Sequence, residues 1–217
     1  MANPERLTAL IAEYRGLDPV REVARICPLL AEAAALVDRE VEPKKWAALR
    51  GLYGRFATDL APESALAAYL EALTVWNAEA DREAWVGCHA SVGLLYLRLH
   101  PLGSTEADQA IVHLELAVND QQTLASTLGQ LYRHKISGDP GLNWQQRFRY
   151  FQLALSHTSP AEQPQEWASY QNELGIAYSH EPNGDYTQGI EKRIACHMSA
   201  MQALAQSPQN PAGSRTV

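Results

Sequence analysis

The sequence predicts an all-α chain, an α-solenoid in which antiparallel helix pairs stack into a right-handed superhelix. Three observations carry that expectation. A small residue followed three positions later by an aromatic or small one recurs as Gly54 with Ala57, Gly93 with Tyr96, Gly129 with Tyr132 and Gly175 with Tyr178, at glycine spacings of 39, 36 and 46. Eight residues before those glycines stand Trp46, Trp85, Gln121 and Trp167, so three of four equivalent positions hold a residue that the chain uses only five times. Downstream of each glycine lies a second helical signature: Tyr69-x-x-Ala72-Leu73, Leu114-x-x-Ala117-Val118, Phe151-x-x-Ala154-Leu155 and Arg193-x-x-Cys196. Each unit therefore reads as a helix A, a short polar connection and a helix B, and no strand-like alternation competes.

In chain order, residues 1–42 form an N-terminal helical pair, a degenerate repeat. Leu7, Leu10, Ile11 and Tyr14 make the apolar face of its first helix, which ends at Gly16, and Asp18-Pro19 supplies an N-cap and a proline at N1 for the second. Pro28 removes a backbone donor and predicts a kink or restart before Leu29. Four repeats follow, at about 43–81, 82–118, 119–163 and 164–206, with A helices near 44–58, 83–99, 120–136 and 165–180 and B helices near 62–78, 104–118, 142–157 and 185–205. Turn and cap residues stand where each B helix must open: Ala61-Pro62-Glu63, Gly103-Ser104, Asp139-Pro140-Gly141 and Asn183-Gly184-Asp185. The last segment, 207–217, is polar and contains Pro and Gly, which predicts a disordered tail.

Composition narrows the functional classes. Of 217 residues, 46% are hydrophobic and 20% charged, the balance of a chain that folds. Eighteen Lys and Arg against 25 Asp and Glu give a net charge of -7, a field that repels phosphate polymers and anionic lipid, so neither nucleic acid nor membrane is expected as a partner. The N-terminus lacks a signal pattern and no apolar run reaches the ~20 residues of a membrane span, which predicts a cytoplasmic protein. Cys27, Cys88 and Cys196 are too scattered for a disulfide framework or a zinc spacing and read as buried reduced thiols.

The pattern Pro164-x-x-Trp167-Ala168-x-x-Gln171-Asn172-x-Leu174-Gly175-x-Ala177-Tyr178 resembles the A helix of a tetratricopeptide repeat, in the longer-period form of kinesin light chains and related bacterial proteins. Pro43-x-x-Trp46-Ala47 repeats its opening, and the resemblance extends over about residues 43–205. The third unit lacks the tryptophan and the fourth has Arg193 where its fellows are apolar. The resemblance implies a non-enzymatic interaction module, with a tubulin-like filament as the partner it suggests. A regulatory or sensor module that recruits an effector enzyme, such as a caspase-like protease system, is the alternative. In kinesin light chains groove asparagines hold the backbone of an extended peptide, and only Asn172 matches that position here.

Enzyme chemistry finds no foothold in the motifs. Phosphate loop, H-E-x-x-H, C-x-x-C, dinucleotide fingerprint and G-x-S-x-G elbow are all missing, so no catalytic residue, cofactor or metal is expected. His89, His113, His157 and His197 fall on different helices without ligand spacing and read as scattered side chains. The stretch from Trp144 to Phe151 interleaves arginine with aromatics, yet Trp144, Phe148 and Phe151 sit at core spacing, which leaves Arg147, Arg149 and Tyr150 to face outward.

Counting each recurring glycine as position eight, the A helices should present positions two, five, nine, twelve and thirteen to a concave wall. Its upper part is mostly small, with Ala48, Gly51, Gly87 and Ala90 beside Asn172, and its lower part carries Arg55, Arg98, Gln130, Arg133, His134 and His180. Those cations in an acidic protein suit an acidic peptide or protein surface. Along the last B helix, Ile190, Ile194, Met198, Met201 and Leu204 form a stripe whose end, Met201 and Leu204, should lie exposed and support partner docking or self-association.

Overall fold

Proline and capping side chains open most of the helices of the computed structural model, which describes residues 3–182 and 184–206. The tail from residue 207 and Asn183 lie outside the described residues. In chain order the helices are α1 (Pro4–Arg15), α2 (Val23–Leu36), α3 (Pro43–Ala57), α4 (Pro62–Leu73), α5 (Arg82–Leu99), α6 (Thr105–Ala117), a 3-10 turn (Gln122–Leu124), α7 (Ala125–His134), α8 (Pro140–Ser156), α9 (Pro164–Tyr178) and α10 (Tyr186–Gln206). There is no strand among the described residues. Proline starts α1, α3, α4, α8 and α9, where its missing N–H has no intrahelical partner to lose. The Asn3 carboxamide accepts from the Arg6 N–H at 3.0 Å, Ser104 from Ala107 at 3.0 Å, Asp139 from Leu142 at 2.8 Å and Asp185 from Gln188 at 2.9 Å. Gly103 and Gly138, in the connections before α6 and α8, have φ of 83° and 80°, the left-handed region that glycine enters without a Cβ penalty.

Two local expectations are corrected. Asp18 caps a turn, accepting from the Val20 and Arg21 N–H groups, and α2 starts only at Val23. Pro28 sits inside α2 without breaking it, since a proline in the second turn forfeits a single helical bond. In the third A segment the helix begins as a 3-10 turn and is short, where a tryptophan is replaced by Gln121.

The chain divides into two compact units. One holds residues up to Pro101 together with Val112–Ala117; the other holds Leu102–Ile111 and everything from Val118 onward. Within the first, α1 packs on α2, α2 on α3, α3 on α4 and α4 on α5; within the second, α7 packs on α8, α8 on α9 and α9 on α10. The first unit buries Leu10, Ile26 and Leu30 in one cluster and Ala47, Tyr69, Val92 and Leu95 in another, and the half-buried Trp46 touches both. In the second, Leu128 and Phe151 are fully buried. Trp85 and Trp167 are likewise half-buried.

The recurring glycines mark where paired helices come closest. A Cβ at Gly54 would lie 2.8 Å from the Tyr69 ring, one at Gly129 2.9 Å from the Phe151 ring, and one at Gly175 3.2 Å from the Cys196 Cβ and 3.3 Å from the Arg193 carbonyl oxygen. These partners are residues of the second helical signature, so the two sequence patterns are two sides of one contact. Gly189 marks a further close approach between α10 and the end of α9, where a Cβ would lie 2.7 Å from the Tyr178 carbonyl oxygen.

The contrast with Gly51, whose Cβ would meet nothing within 4 Å, gives a stability test. Gly189→Ala pushes a methyl onto backbone that cannot rotate away and is expected to cost about 1–3 kcal/mol. Gly51→Ala fills open space on a helix and is expected to gain up to about 1 kcal/mol. Urea denaturation of both variants reads the difference, and equal midpoints would contradict the packing described.

Candidate functional site

In the first unit a groove of about 440 Å³ runs between α3 and α5 above α4. Ala48, Gly51 and Arg55 of α3 form one bank, Gly87, Cys88 and Ser91 of α5 the other, and Tyr69 and Trp76 the floor and end. Four of these, Ala48, Gly51, Arg55 and Gly87, are positions the sequence assigns to the concave wall. Gly51 and Gly87 leave open space where side chains would stand, so the groove owes its width to the missing Cβ atoms. Burial pushes the Cys88 thiol up to about 11, which keeps it protonated and poorly nucleophilic.

The corresponding place in the second unit, between the 3-10 turn with α7, α8 and α9, holds a hollow of about 630 Å³. Its lining is the more polar of the two: Thr123 and Ser126 from one side, His157 and Thr158 from just past the end of α8, Glu166 and Tyr170 from α9.

The basic residues expected along the wall do not act as one cationic surface. Arg55 lies at the groove, its guanidinium 6.0 Å from the Phe56 ring. Arg98 is turned to its own fold, donating to the Thr58 carbonyl at 2.9 Å and to Asp59 at 2.6 Å, where it neutralises the carbonyl end of α3. Arg133 binds Glu173 at 2.6 Å. Asn172 accepts from His197 Nδ1 at 2.7 Å, and His197 Nε2 accepts from Arg193 at 3.3 Å. Gln130 is half-buried and His134 exposed at the end of α7. His180 Nδ1 donates to the Ile176 carbonyl at 2.8 Å, and with Arg133 it lines a separate pocket. At the far end, Met201 and Leu204 are 63% and 38% exposed as expected, but Met198 at 61% and Ile194 at 53% are exposed too, because α10 buries Gly189, Ala200 and Ala203 in place of that stripe.

Against the outward placement expected for them, Arg147 and Tyr150 are buried. Arg147 reaches Glu173 at 3.1 Å, so one buried carboxylate receives two arginines from neighbouring helices. Burial disfavours the Arg147 charge, and Glu173 offsets part of that effect. Helical period could not find this, because a period says which side of a helix faces inward and not which inward group carries a countercharge.

Two histidines read as scattered also meet. His89 and His113 place their Nδ1 atoms 2.8 Å apart, with the Trp85 ring edge-on to His89 at 4.3 Å and Tyr96 6.0 Å from His113. One ring must donate and the other accept, so at least one is neutral. Desolvation, with the neighbouring imidazole, pushes His89 down to about 4, and desolvation lowers His113 as well.

The chain matches no family model, no curated protein and no solved structure. Among the described residues no group of three or more His, Cys, Asp or Glu is placed to hold a metal ion, and no helix is long and apolar enough to cross a membrane. What the grooves offer is shape, apolar surface and hydrogen-bonding edges.

The histidine pair sets a pH dependence. An unfolded imidazole takes up a proton near 6.5 and the folded His89 only near 4, so protonation pulls toward the unfolded state between those values. Stability is therefore expected to fall as pH drops from about 6.5 toward 4, by about 1–2 kcal/mol once partial solvent access is allowed for. Denaturation midpoints of the wild type beside His89→Gln check this: the slope across that window should flatten in the variant, and parallel profiles would refute it.

Proposed function

We propose that this chain is a non-catalytic interaction module of tetratricopeptide type, kin to the repeats of kinesin light chains, with its helix pairs stacked as a right-handed superhelix. The groove between α3 and α5 receives an apolar segment of a protein partner, and Arg55 receives an acidic residue within it. The observation that carries this reading is the open shelf at Gly51 and Gly87: it leaves space for a ligand's side chains on two helices at once, beside a guanidinium that no carboxylate reaches among the described residues. Residues with planar forks suit carboxylate recognition, and a tubulin-like filament of acidic surface is the partner that the repeat resemblance suggests. Arg98 serves the fold in this reading, because it already holds a carboxylate, and Arg133, paired with Glu173, takes no part in the α3/α5 groove.

Co-sedimentation with polymerised bacterial tubulin tests it. Wild type is expected to pellet with filament and to be released as salt rises, since screening shortens the field to ~8 Å at physiological ionic strength. Gly87→Leu fills the shelf and Arg55→Glu reverses the charge; each should weaken pelleting about tenfold or more, which corresponds to about 1.4 kcal/mol. Unchanged pelleting by both variants would move the site elsewhere. A wild type that never pellets would remove the filament and favour recruitment of an effector enzyme.

The exposed stripe on α10 supports a second contact, with a partner or a second copy. Sedimentation equilibrium of wild type beside Met201→Lys/Leu204→Lys should show concentration-dependent association in the wild type and its loss in the variant. A wild type that stays monomeric would exclude the second copy.

A further inference from the structure

A separate pocket of about 280 Å³ in the second unit gathers Arg133 from α7, Lys135 from the connection after it, Arg147 and Trp144 from α8, and His180 from the end of α9. Its charges do not cancel. Glu173 is shared by Arg133 at 2.6 Å and Arg147 at 3.1 Å, so this trio carries one positive charge in excess. Lys135 is matched by Asp108 at 3.3 Å, whose carboxylate is also bound by the Ser137 hydroxyl. Arg147 is nine-tenths buried and its Nε–H has no hydrogen-bond partner, a rare state for a charged group. His180 Nδ1–H is committed to the Ile176 carbonyl, so its Nε2 donates to an anion when the ring is protonated. The Trp144 indole N–H donates to the Ala177 carbonyl at 2.8 Å and holds its ring as a fixed wall.

We infer that this pocket binds one oxyanion, a carboxylate or a phosphate. The excess charge calls for an anion, and the second arginine makes the demand specific: one carboxylate cannot fill two forks, so guanidinium donors remain for a ligand of matching geometry. A volume just under the ~300 Å³ lower bound of drug-sized pockets suits a single headgroup or side-chain terminus. Glu173 holds the two arginines together in the unliganded chain and tempers their pull on the ligand. This site stands apart from the α3/α5 groove, and its occupancy does not depend on how that groove is used.

The test is titration of the purified chain with inorganic phosphate and, separately, with acetate, at constant ionic strength set with chloride. The reporter is the Trp144 indole N–H resonance, assigned with Trp144→Phe. A saturable shift is expected with at least one of the two anions; phosphate alone identifies a phosphate site, and both together a general oxyanion site. Lys135→Gln and His180→Gln should each weaken binding several-fold, whereas Glu173→Gln should tighten it about tenfold by freeing both arginines. If Glu173→Gln does not fold, the two surface variants decide. No saturable shift with either anion, or binding unchanged in both Lys135→Gln and His180→Gln, would overturn the inference.

Discussion

The close approach of paired helices at glycine is the constraint on which the rest of the structure depends. At Gly54 and Gly129 an aromatic ring of the next helix occupies the space a methyl would need, and at Gly175 the approach extends to the Arg193 backbone. An aromatic side chain lying against bare backbone gains dispersion along its whole face, and it fixes the sliding of one helix on the other, since a shift of one residue would set a Cβ against the ring. Fixing that register also fixes which residues face away from the pair. Gly51 and Gly87, on the same helical segments as the packed residues but turned away from them, stand on the banks of a groove because nothing in the pair needs them.

Where a pair lacks its aromatic, the contact changes in kind. Arg193 stands at the fourth pair where Tyr69 and Phe151 stand at the first and third, with Cys196 in the place of Ala72 and Ala154, and the missing ring lets the helices come near enough for backbone to meet the Cβ position of Gly175. Gly189 then becomes necessary as well, since a close approach at the middle of α10 brings its beginning against the Tyr178 carbonyl. The arginine that replaces the ring is put to use: it donates to His197, which donates to Asn172, tying α10 to α9 through polar contacts. A single substitution in the repeat pattern thus carries a glycine and a hydrogen-bonded chain with it.

How much of this was legible in the sequence depends on whether the feature is periodic. Helices α3, α5, α8 and α9 begin and end within a few residues of their expected bounds, because proline, caps and a recurring glycine each mark them. The exposure of Met201 and Leu204 was legible, but its reason was not: Ile194 and Met198 are open as well, because α10 packs through Gly189, Ala200 and Ala203, small residues that the apolar stripe hid. Partnership was not. Arg98, Arg133, His89, His113 and Arg147 are all resolved by contacts between residues 24 to 40 positions apart, and no spacing along one helix encodes which carboxylate or imidazole waits on the next. A basic groove was therefore the natural reading of Arg55, Arg98 and Arg133 together, and only Arg55 keeps that character. The one available signal was Glu173, a carboxylate at an inward position of its helix, which implies a buried cation somewhere nearby.

The two units differ in the chemistry that lines their hollows. Between α3 and α5, alanine and glycine leave a groove of bare helix surface. Thr123, Ser126, His157 and Glu166 line the hollow of the second unit with hydrogen-bonding groups, which raises the cost of placing an apolar group there. The cations are drawn out of both grooves into ion pairs within the fold, except at Arg55 and at the pocket where two arginines share Glu173. Incomplete countercharge is consequently confined to a few places. A net charge of -7 makes those places more selective, because the surrounding field rejects anions that do not reach a guanidinium directly.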